Sequence, residues 1–196
     1  MQSDFTALMD DIRRCDLCAS ELEHGPRPVV RGYVTAKILI IGQAPGSRVH
    51  ASGIPWDDAS GERLRDWLML DEDRFYDQAN IAIMPMGFCY PGKVKGGGDK
   101  PPRPECAPKW HQKLLKQFKD VELTLLIGSF AQAHYLENPK KQSMTDNVRD
   151  FDKYLQAGVF PLPHPSWRVR HWLRNNPWFE SDCLPILRQK VANLIS

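Results

Sequence analysis

Four of the five cysteines in this sequence are spaced like the ligands of a metal centre. Cys15 and Cys18 have two residues between them, and Cys89 and Cys106 follow with sixteen residues between them. A C-x2-C pair puts two thiolates on one tight turn, and two later cysteines can complete a shell of four sulfur ligands. Sulfur-only ligation suits a 4Fe-4S cluster or structural zinc, and the spacing does not separate the two.

Other interpretations of the cysteines remain open. In the first alternative, the C-x2-C spacing is a coincidence, and Cys89, Cys106 and Cys183 are small buried hydrophobic residues. A zinc site would also accept His24 or His111, each near a cysteine in sequence. Disulfides are the weaker alternative in a reducing compartment.

A second group of unusual residues follows four short apolar segments of the chain. These loops contain "GQAPGSRVH", "MGFCYPGKVKGGGDKPPRP", "GSFAQ" and "HPSWRVRHW". They are rich in Gly, Pro, His and basic residues, which favour irregular backbone and ligand contacts rather than regular structure. We therefore expect the functional site in these loops.

The apolar segments that precede the loops predict strands. They are short, rich in β-branched residues and do not alternate, which is typical of strands buried on both faces. Their ranges are 37–42, 80–85, 122–128 and 158–163. Helix-period segments between them predict an α/β fold with a mostly parallel sheet, in which ligands bind at the carboxyl ends of the strands.

The helix signals between the strands are specific enough to locate three helices. Ser60 is the predicted N-cap of a helix that carries Leu64, Trp67 and Leu68 on one side. Pro104 is predicted to begin a second helix, and a third is expected around 180–194. The apolar side of the second helix is predicted to contain Trp110, Leu114, Leu115 and Phe118.

Length and charge limit the class of protein. The chain of 196 residues fits a single domain, 1–196, and its net charge of +2 does not by itself indicate a nucleic-acid partner. The longest apolar runs are far shorter than a membrane span. The amino terminus also lacks the basic segment followed by an apolar segment that is typical of a signal peptide. We expect a cytoplasmic protein with no membrane partner.

The ordered motifs resemble the uracil-DNA glycosylase superfamily, and within it the iron–sulfur-containing branch called family four. The resemblance covers most of the chain. It is carried by "CDLC", "RPVVRGYVTAKILIIGQAPG", "GIPWDDASGERLRDWL", "CYPG", "PECAPKWHQKLLKQF", "LTLLIGSFA" and "PLPHPS". It implies a three-layer α/β/α sandwich around a four-stranded sheet, a 4Fe-4S cluster, and a monomer that acts on DNA containing uracil or a damaged base.

The resemblance also implies roles for the loop after the first strand. Such an enzyme flips a nucleotide out of DNA and holds its base in a pocket. Trp56 is expected to stack on the base, although an ordinary core position is the alternative. Contacts to the base or to the attacking water are expected from the predicted loop, which consists of Gly42, Gln43, Ala44, Pro45 and Gly46.

The "HPS" motif implies a catalytic histidine and a DNA-binding segment. Bond cleavage leaves negative charge on the base, which a neutral His164 can stabilise by donating a hydrogen bond to the carbonyl oxygen. Trp167 is the candidate wedge, because the position of a leucine wedge in some relatives is occupied by a basic residue here. The predicted DNA-binding residues are Ser166, Trp167, Arg168, Arg170, Lys93 and Lys95.

The sequence departs from the resembling family at two catalytic positions. The "GQAPG" loop contains no carboxylate, so Asp57 or Asp58 is the nearest acid for activating water, with His50 as a weaker candidate. The alternative to a catalytic role is that these acids are solvated loop residues or charges at the start of a helix. No side-chain amide follows the second strand to recognise the uracil edge, and backbone groups at Met86 and Gly87 are the expected substitutes.

Two functions therefore follow from the sequence. The first is a DNA-repair glycosylase that hydrolyses the N-glycosidic bond of uracil or a related deaminated base. The alternative is a divergent superfamily member that binds nucleic acid or nucleotide without excising uracil. A further possibility is a nucleotide-binding protein outside the family that is cross-linked by a metal site. In such a protein His164 would be dispensable for activity.

Overall fold

A four-stranded parallel sheet forms the centre of the protein. The computed structural model describes residues 2–136 and 142–195. The strands are β1 (Ile38–Ile41), β2 (Ile81–Ile83), β3 (Leu123–Ile127) and β4 (Val159–Leu162), in the order β2-β1-β3-β4. All three neighbouring pairs are parallel. The predicted α/β class and the four strands are confirmed, each strand being shorter than its apolar segment.

The sheet is buried on both faces, as the unbroken apolar segments predict. Along β1, Ile38 and Ile40 belong to one core cluster, while Leu39 and Ile41 belong to the other. All four are at most 1% exposed. Since successive side chains of a strand point to opposite faces, the strands are apolar at every position but Thr124 of β3, which is only partly buried.

Helices cover both faces and complete a three-layer α/β/α sandwich. The helices are α1 (Gln2–Arg13), α2 (Ser47–Ser52), α3 (Ala59–Leu68), α4 (Glu72–Phe75), α5 (Cys106–Leu115), α6 (Gly128–Tyr135), α7 (Met144–Arg149), α8 (Phe151–Leu155), α9 (Val169–Asn175) and α10 (Leu184–Leu194). The first core cluster packs the sheet against α3 and α10, among others, and the second packs it against α1, α5 and α6.

The helix starts differ from the predicted ones. Asp58, not Ser60, is the N-cap of α3, because its extended backbone lets Oδ1 accept from the amides of Ser60 and Gly61, both at 2.9 Å. Helix α5 begins at Cys106 rather than at Pro104. The terminal helix is preceded by a π-helical turn over Phe179–Cys183.

The predicted apolar side of α5 is only partly correct. Trp110 and Leu114 are buried, whereas Leu115 is 36% exposed. Phe118 lies beyond the helix end but is still buried, because its amide donates to the Leu114 carbonyl oxygen at 3.1 Å and turns the chain inward. Over residues 2–136 and 142–195, no helix has the length and apolar character needed to cross a membrane.

Candidate functional site

A cavity of about 700 Å³ lies at the carboxyl ends of the strands. Loops that follow β1, β2 and β4 line it, as expected for a ligand site in a parallel sheet. Eleven of the predicted base-binding, catalytic and DNA-binding residues line this cavity: Gly42, Gln43, Ala44, Pro45, Gly46, Trp56, Asp58, His164, Ser166, Trp167 and Arg168. Their convergence from distant parts of the chain indicates one functional site, while their chemical roles stay predictions.

Hydrogen bonds beyond the end of β2 hold the first loop in place. The Met86 amide donates to the Gly42 carbonyl oxygen at 2.9 Å, and the Gly87 amide donates to the Gln43 carbonyl oxygen at 3.0 Å. The loop is thus an extension of the sheet pairing rather than a free turn. The two bonds hold the loop against the segment that follows β2.

These bonds also limit one prediction. Backbone groups at Met86 and Gly87 were expected to take the place of a side-chain amide at the uracil edge, and the two amides among those groups already donate to the Gly42 and Gln43 carbonyl oxygens. The Met86 side chain is buried in the second core cluster and does not line the cavity. At the end of β2, the cavity wall is formed by Ile83 and Pro85.

Trp56 is held in a backbone conformation that bulky residues rarely adopt. Its φ is +60°, in the left-handed region. The Tyr76 hydroxyl donates to the Pro55 carbonyl oxygen at 2.9 Å, and Arg65 donates to the Trp56 carbonyl oxygen at 3.4 Å. A strained residue fixed by its surroundings is often found at a functional site.

The Trp56 ring is both a core contact and a wall of the cavity. A Cβ built on Gly42 would stand 2.9 Å from Trp56 Cζ2, so only glycine allows this close approach. The Trp56 and His164 ring centroids are 5.7 Å apart, with the planes tilted by 35°. The ring is half-buried and packs against the first core cluster. The two interpretations of Trp56, core residue and site residue, are therefore compatible.

His164 follows β4 and lines the cavity together with the first loop. Gly128, at the start of α6 with φ +81°, lies against it, and a Cβ there would stand 3.4 Å from His164 Cβ. Burial lowers the pKa of His164 below its usual value, and the nearby Asp58 carboxylate opposes that shift. The ring is consequently neutral at neutral pH, as an uncharged hydrogen-bond donor requires.

Arg63 positions the segment after His164, and sequence reasoning missed it. Its Nη1 donates to the Pro165 carbonyl oxygen at 2.8 Å and to the Ser166 carbonyl oxygen at 3.2 Å. These bonds connect α3 to the "HPS" turn, whose His164 and Ser166 line the cavity. No pattern around Arg63 signals this contact, because its partners are backbone atoms about a hundred residues away.

The mouth of the cavity exposes an aromatic residue next to a cation. Trp167 is 74% exposed, and the Arg168 guanidinium carbon lies 5.3 Å from its ring centroid. The same guanidinium approaches the loop of Gly96–Gly98, with Nη2 3.7 Å from a Cβ built on Gly98. Three further predicted DNA contacts, Arg170, Lys93 and Lys95, are exposed but do not line the cavity.

The predicted acids divide into one that reaches the cavity and one that does not. Asp58 lines it and caps α3, whereas Asp57 does not line it. His50 lies outside this cavity, with its ring 5.8 Å from Tyr90 and 6.0 Å from His24. Asp99 does line the cavity and was missed, because an acid in a glycine-rich loop carries no sequence signal.

The four predicted cysteine ligands line a second, small apolar cavity. Cys15 follows α1, Cys18 begins a short turn, Cys89 follows the β2 segment and Cys106 starts α5. The Trp110 indole donates to Cys15 Sγ at 3.4 Å, and the Phe88 amide donates to Cys106 Sγ at 3.3 Å. Burial raises the pKa of Cys89 to about 11 and of Cys106 to about 12.

This donor set, four thiols around one cavity, fits a metal centre that is ligated by sulfur alone. Within the described ranges, no three His, Cys, Asp or Glu side chains are grouped closely enough to hold one metal ion. A cluster spaces its cysteines around several iron and sulfide atoms, and N–H donors to sulfur are typical of its surroundings. Four thiols around one cavity are compatible with the wider ligand spacing of such a cluster.

The two histidines considered as zinc ligands do not line the cysteine cavity. His111 is 2% exposed and pairs with the Tyr135 hydroxyl at 2.5 Å and the Pro85 carbonyl oxygen at 3.1 Å. His24 is exposed and stacks on Tyr90. Both ring nitrogens of His111 are therefore occupied within the fold.

One comparison with known proteins identifies a family. Residues 30–188 match the family model described as the uracil DNA glycosylase superfamily. The match spans all four strands and every residue that lines the large cavity except Val29. It begins after Cys15 and Cys18, so it does not test the amino-terminal half of the cysteine pattern.

Proposed function

Since the chain belongs to the uracil-DNA glycosylase superfamily, we propose that it hydrolyses the N-glycosidic bond of uracil in DNA. A related deaminated base is the alternative substrate within the same activity. The nucleotide would be flipped out of the helix and its base held in the large cavity. The protein would act as a monomeric, cytoplasmic DNA-repair enzyme.

The observation that supports this proposal best is the meeting of Trp56 and His164 on one cavity. An aromatic face and a neutral hydrogen-bond donor are the two groups that a flat base with a carbonyl oxygen requires. Their ring centroids are 5.7 Å apart, so both can contact one small molecule. The cavity volume of about 700 Å³ accommodates a nucleoside.

The proposed reaction uses the cavity residues in distinct ways. As the C1′–N bond lengthens, its electron pair moves onto the base, and His164 donates to the base oxygen on which charge develops. Asp58 Oδ1 is held by two backbone amides, which leaves Oδ2 to face the cationic sugar. Water then adds to C1′, and the products are the free base and an abasic site.

The DNA would be bound at the mouth of the cavity. Trp167 is exposed enough to enter the space vacated by the flipped nucleotide, and Arg168 beside it suits a phosphate. Lys93, Lys95 and Arg170 are exposed near this face and would add phosphate contacts over a longer stretch of DNA.

The cysteines would hold a 4Fe-4S cluster, with structural zinc as the alternative. Cys15, Cys18, Cys89 and Cys106 would be its ligands. When bound, the cluster would supply a cross-link rather than reaction chemistry, because its ligands lie outside the lining of the large cavity. It would tie the amino terminus to the segment between β2 and α5.

A single-turnover assay tests the proposed activity. Labelled single- and double-stranded oligonucleotides with one uracil are incubated with excess protein, and abasic sites are scored by alkaline cleavage. We expect strand cleavage with the wild type and a loss of roughly 100- to 1,000-fold with His164→Asn, which removes the proposed donor.

Two comparisons make the assay selective. His171→Asn alters an exposed histidine outside the cavity and should keep wild-type activity. Oligonucleotides with hypoxanthine or xanthine test the related deaminated bases. Tight binding without release of any of these bases would favour the non-excising alternative, which the absence of a carboxylate in the "GQAPG" loop motivates.

A further inference from the structure

A second carboxylate faces the large cavity from the loop between β2 and α5. Asp99 Oδ2 lies 3.6 Å from the point where a Cβ on Gly46 would stand, and Asp58 Oδ2 lies 4.0 Å from the same point. The two carboxylates thus approach the first loop from different parts of the chain. Both line the same cavity as His164.

Asp99 sits at the anchored base of its loop rather than at the tip. Lys93 and Asp99 form an antiparallel bridge, and the Lys100 amide donates to the Gly92 carbonyl oxygen at 2.8 Å. The tip is formed by Gly96–Gly98, where all three residues have positive φ. Backbone pairing at the base of the loop therefore holds Asp99 in place.

The Gln43 side chain fixes the base of this loop to the first loop. Its Nε2 donates to the Lys100 carbonyl oxygen at 3.3 Å. An amide can make this bond, whereas a carboxylate cannot, since it has no proton to donate. Gln43 is therefore suited to hold the neighbour of Asp99, and it is not itself a base.

The two carboxylates differ in their partners. Asp58 accepts two backbone hydrogen bonds as the cap of α3, so one of its oxygens is committed to the fold. The Asp99 side chain accepts no hydrogen bond from the residues that the structure describes. Partial burial raises the pKa of Asp99, with Lys93 lowering it and Asp58 raising it.

We propose that Asp99 is the general base that activates water in this site, with Gln43 as the residue that positions its loop. The proposal rests on the glycosylase activity proposed above. In this step, after the C1′–N bond has broken, a water oxygen bonds to C1′ of the cationic sugar, and the water proton passes to Asp99. The bond's electron pair leaves with the base, which takes up a proton from solvent.

The direct test replaces the carboxylate with its amide. Asp99→Asn should lower the single-turnover rate by at least about 100-fold, the usual contribution of a general base. Binding of an oligonucleotide with a non-hydrolysable 2′-fluoro uracil nucleotide should stay close to wild type. The matched control is Asp120→Asn, an exposed carboxylate that does not line the cavity, which should leave both quantities unchanged.

A pH profile separates a base from a structural role. In the wild type, the rate should fall on acidification as Asp99 becomes protonated. The pH profile of Asp99→Asn should lack this fall. The charged and titratable groups around Asp99 are Lys93, Asp58, Tyr90, His164 on the same cavity and Arg168 beside Gly98. Asp99→Glu should recover part of the rate, because it restores a carboxylate.

Two outcomes are decisive. An active wild type with an equally active Asp99→Asn variant overturns the role of Asp99 and leaves the glycosylase function standing. An inactive wild type that still binds the 2′-fluoro oligonucleotide overturns both. Gln43→Glu adds a check on the positioning role. It should lower the rate although it adds a carboxylate, because it removes the hydrogen bond to the Lys100 carbonyl oxygen. A gain in rate would contradict the positioning role of Gln43.

Discussion

The carbonyl oxygen of Trp56 occupies the space in which a side chain on Gly61 would begin. A Cβ built on Gly61 would stand 1.7 Å from that oxygen and 2.9 Å from Trp56 Cβ. The first turn of α3 therefore packs directly on the strained backbone that presents the Trp56 ring. Any residue other than glycine at position 61 must move one of the two.

We predict that Gly61→Ala lowers both stability and activity. The clash is with backbone and has no rotamer to relieve it, so the free energy of unfolding should fall by about 1–3 kcal/mol. Urea unfolding measures this loss. Ala59→Gly, in the same turn but exposed, should cost no more than about 1 kcal/mol. Equal effects of the two changes would argue against a special contact at Gly61.

We predict that Arg63→Met slows the reaction without weakening DNA binding much. The change removes both hydrogen bonds to the "HPS" turn and leaves its apolar length in place. A small displacement of His164 should reduce kcat roughly 10- to 100-fold. Arg74→Met, at an arginine whose side chain is 68% exposed, is the control. A change confined to KM would contradict the positioning role.

We predict that Trp167→Ala weakens binding to DNA that contains uracil. The exposed ring would lose its contact with neighbouring bases, which is worth about 1–3 kcal/mol, so Kd should rise roughly 5- to 150-fold. Fluorescence anisotropy measures the change. Phe130→Ala removes another exposed aromatic residue, on α6 and outside the cavity, and should leave Kd unaltered. An unchanged Kd for Trp167→Ala would exclude it as a wedge.

We predict that His111 contributes to acid sensitivity of the fold. Burial lowers its pKa from 6.5 to about 4, so the unfolded chain binds a proton at a higher pH than the folded chain does. Stability due to this group is present above pH 6.5 and is lost as the pH falls towards about 4, by about 3 kcal/mol. His111→Gln should flatten this part of the stability curve.

Urea unfolding between neutral pH and about pH 4.5 tests the His111 prediction, because the slope reports proton uptake directly. The exposed His171 provides the control variant, His171→Gln, whose slope should match the wild type. An unchanged slope in His111→Gln would show that other groups cause the acid sensitivity.

We predict that the protein purified without oxygen contains iron and acid-labile sulfide. Alanine at Cys15, Cys18, Cys89 or Cys106 should abolish the visible absorption of the cluster and lower Tm, because the cross-link between α1 and α5 is lost. Cys183→Ala, which changes a buried core residue outside that cavity, should retain the cluster. Stoichiometric zinc with no iron would favour the structural zinc alternative.

The sheet and its loops were predictable because the signals are local. Each strand is a continuous apolar segment, and each is followed by a loop of unusual composition, so the site at the strand ends follows from topology. The cysteine spacing also predicted one common location, and the four side chains do line one cavity. The superfamily is confirmed by the family match, whereas the family-four branch, the metal and the base stay predictions.

Only the tertiary structure decided which polar groups reach the site. Asp99 lies near Gly46 and Arg63 bonds to the backbone of Pro165 and Ser166, all distant in sequence, and no periodicity or motif signals such contacts. The amides of Met86 and Gly87 are taken by the first loop because pairing continues beyond β2, which no residue pattern specifies. Asp58 rather than Ser60 caps α3 because the turn at Trp56 leaves Asp58 extended. Sequence fixes the residue types that each loop offers, but the packing of one loop against another determines their distances and free hydrogen-bonding groups.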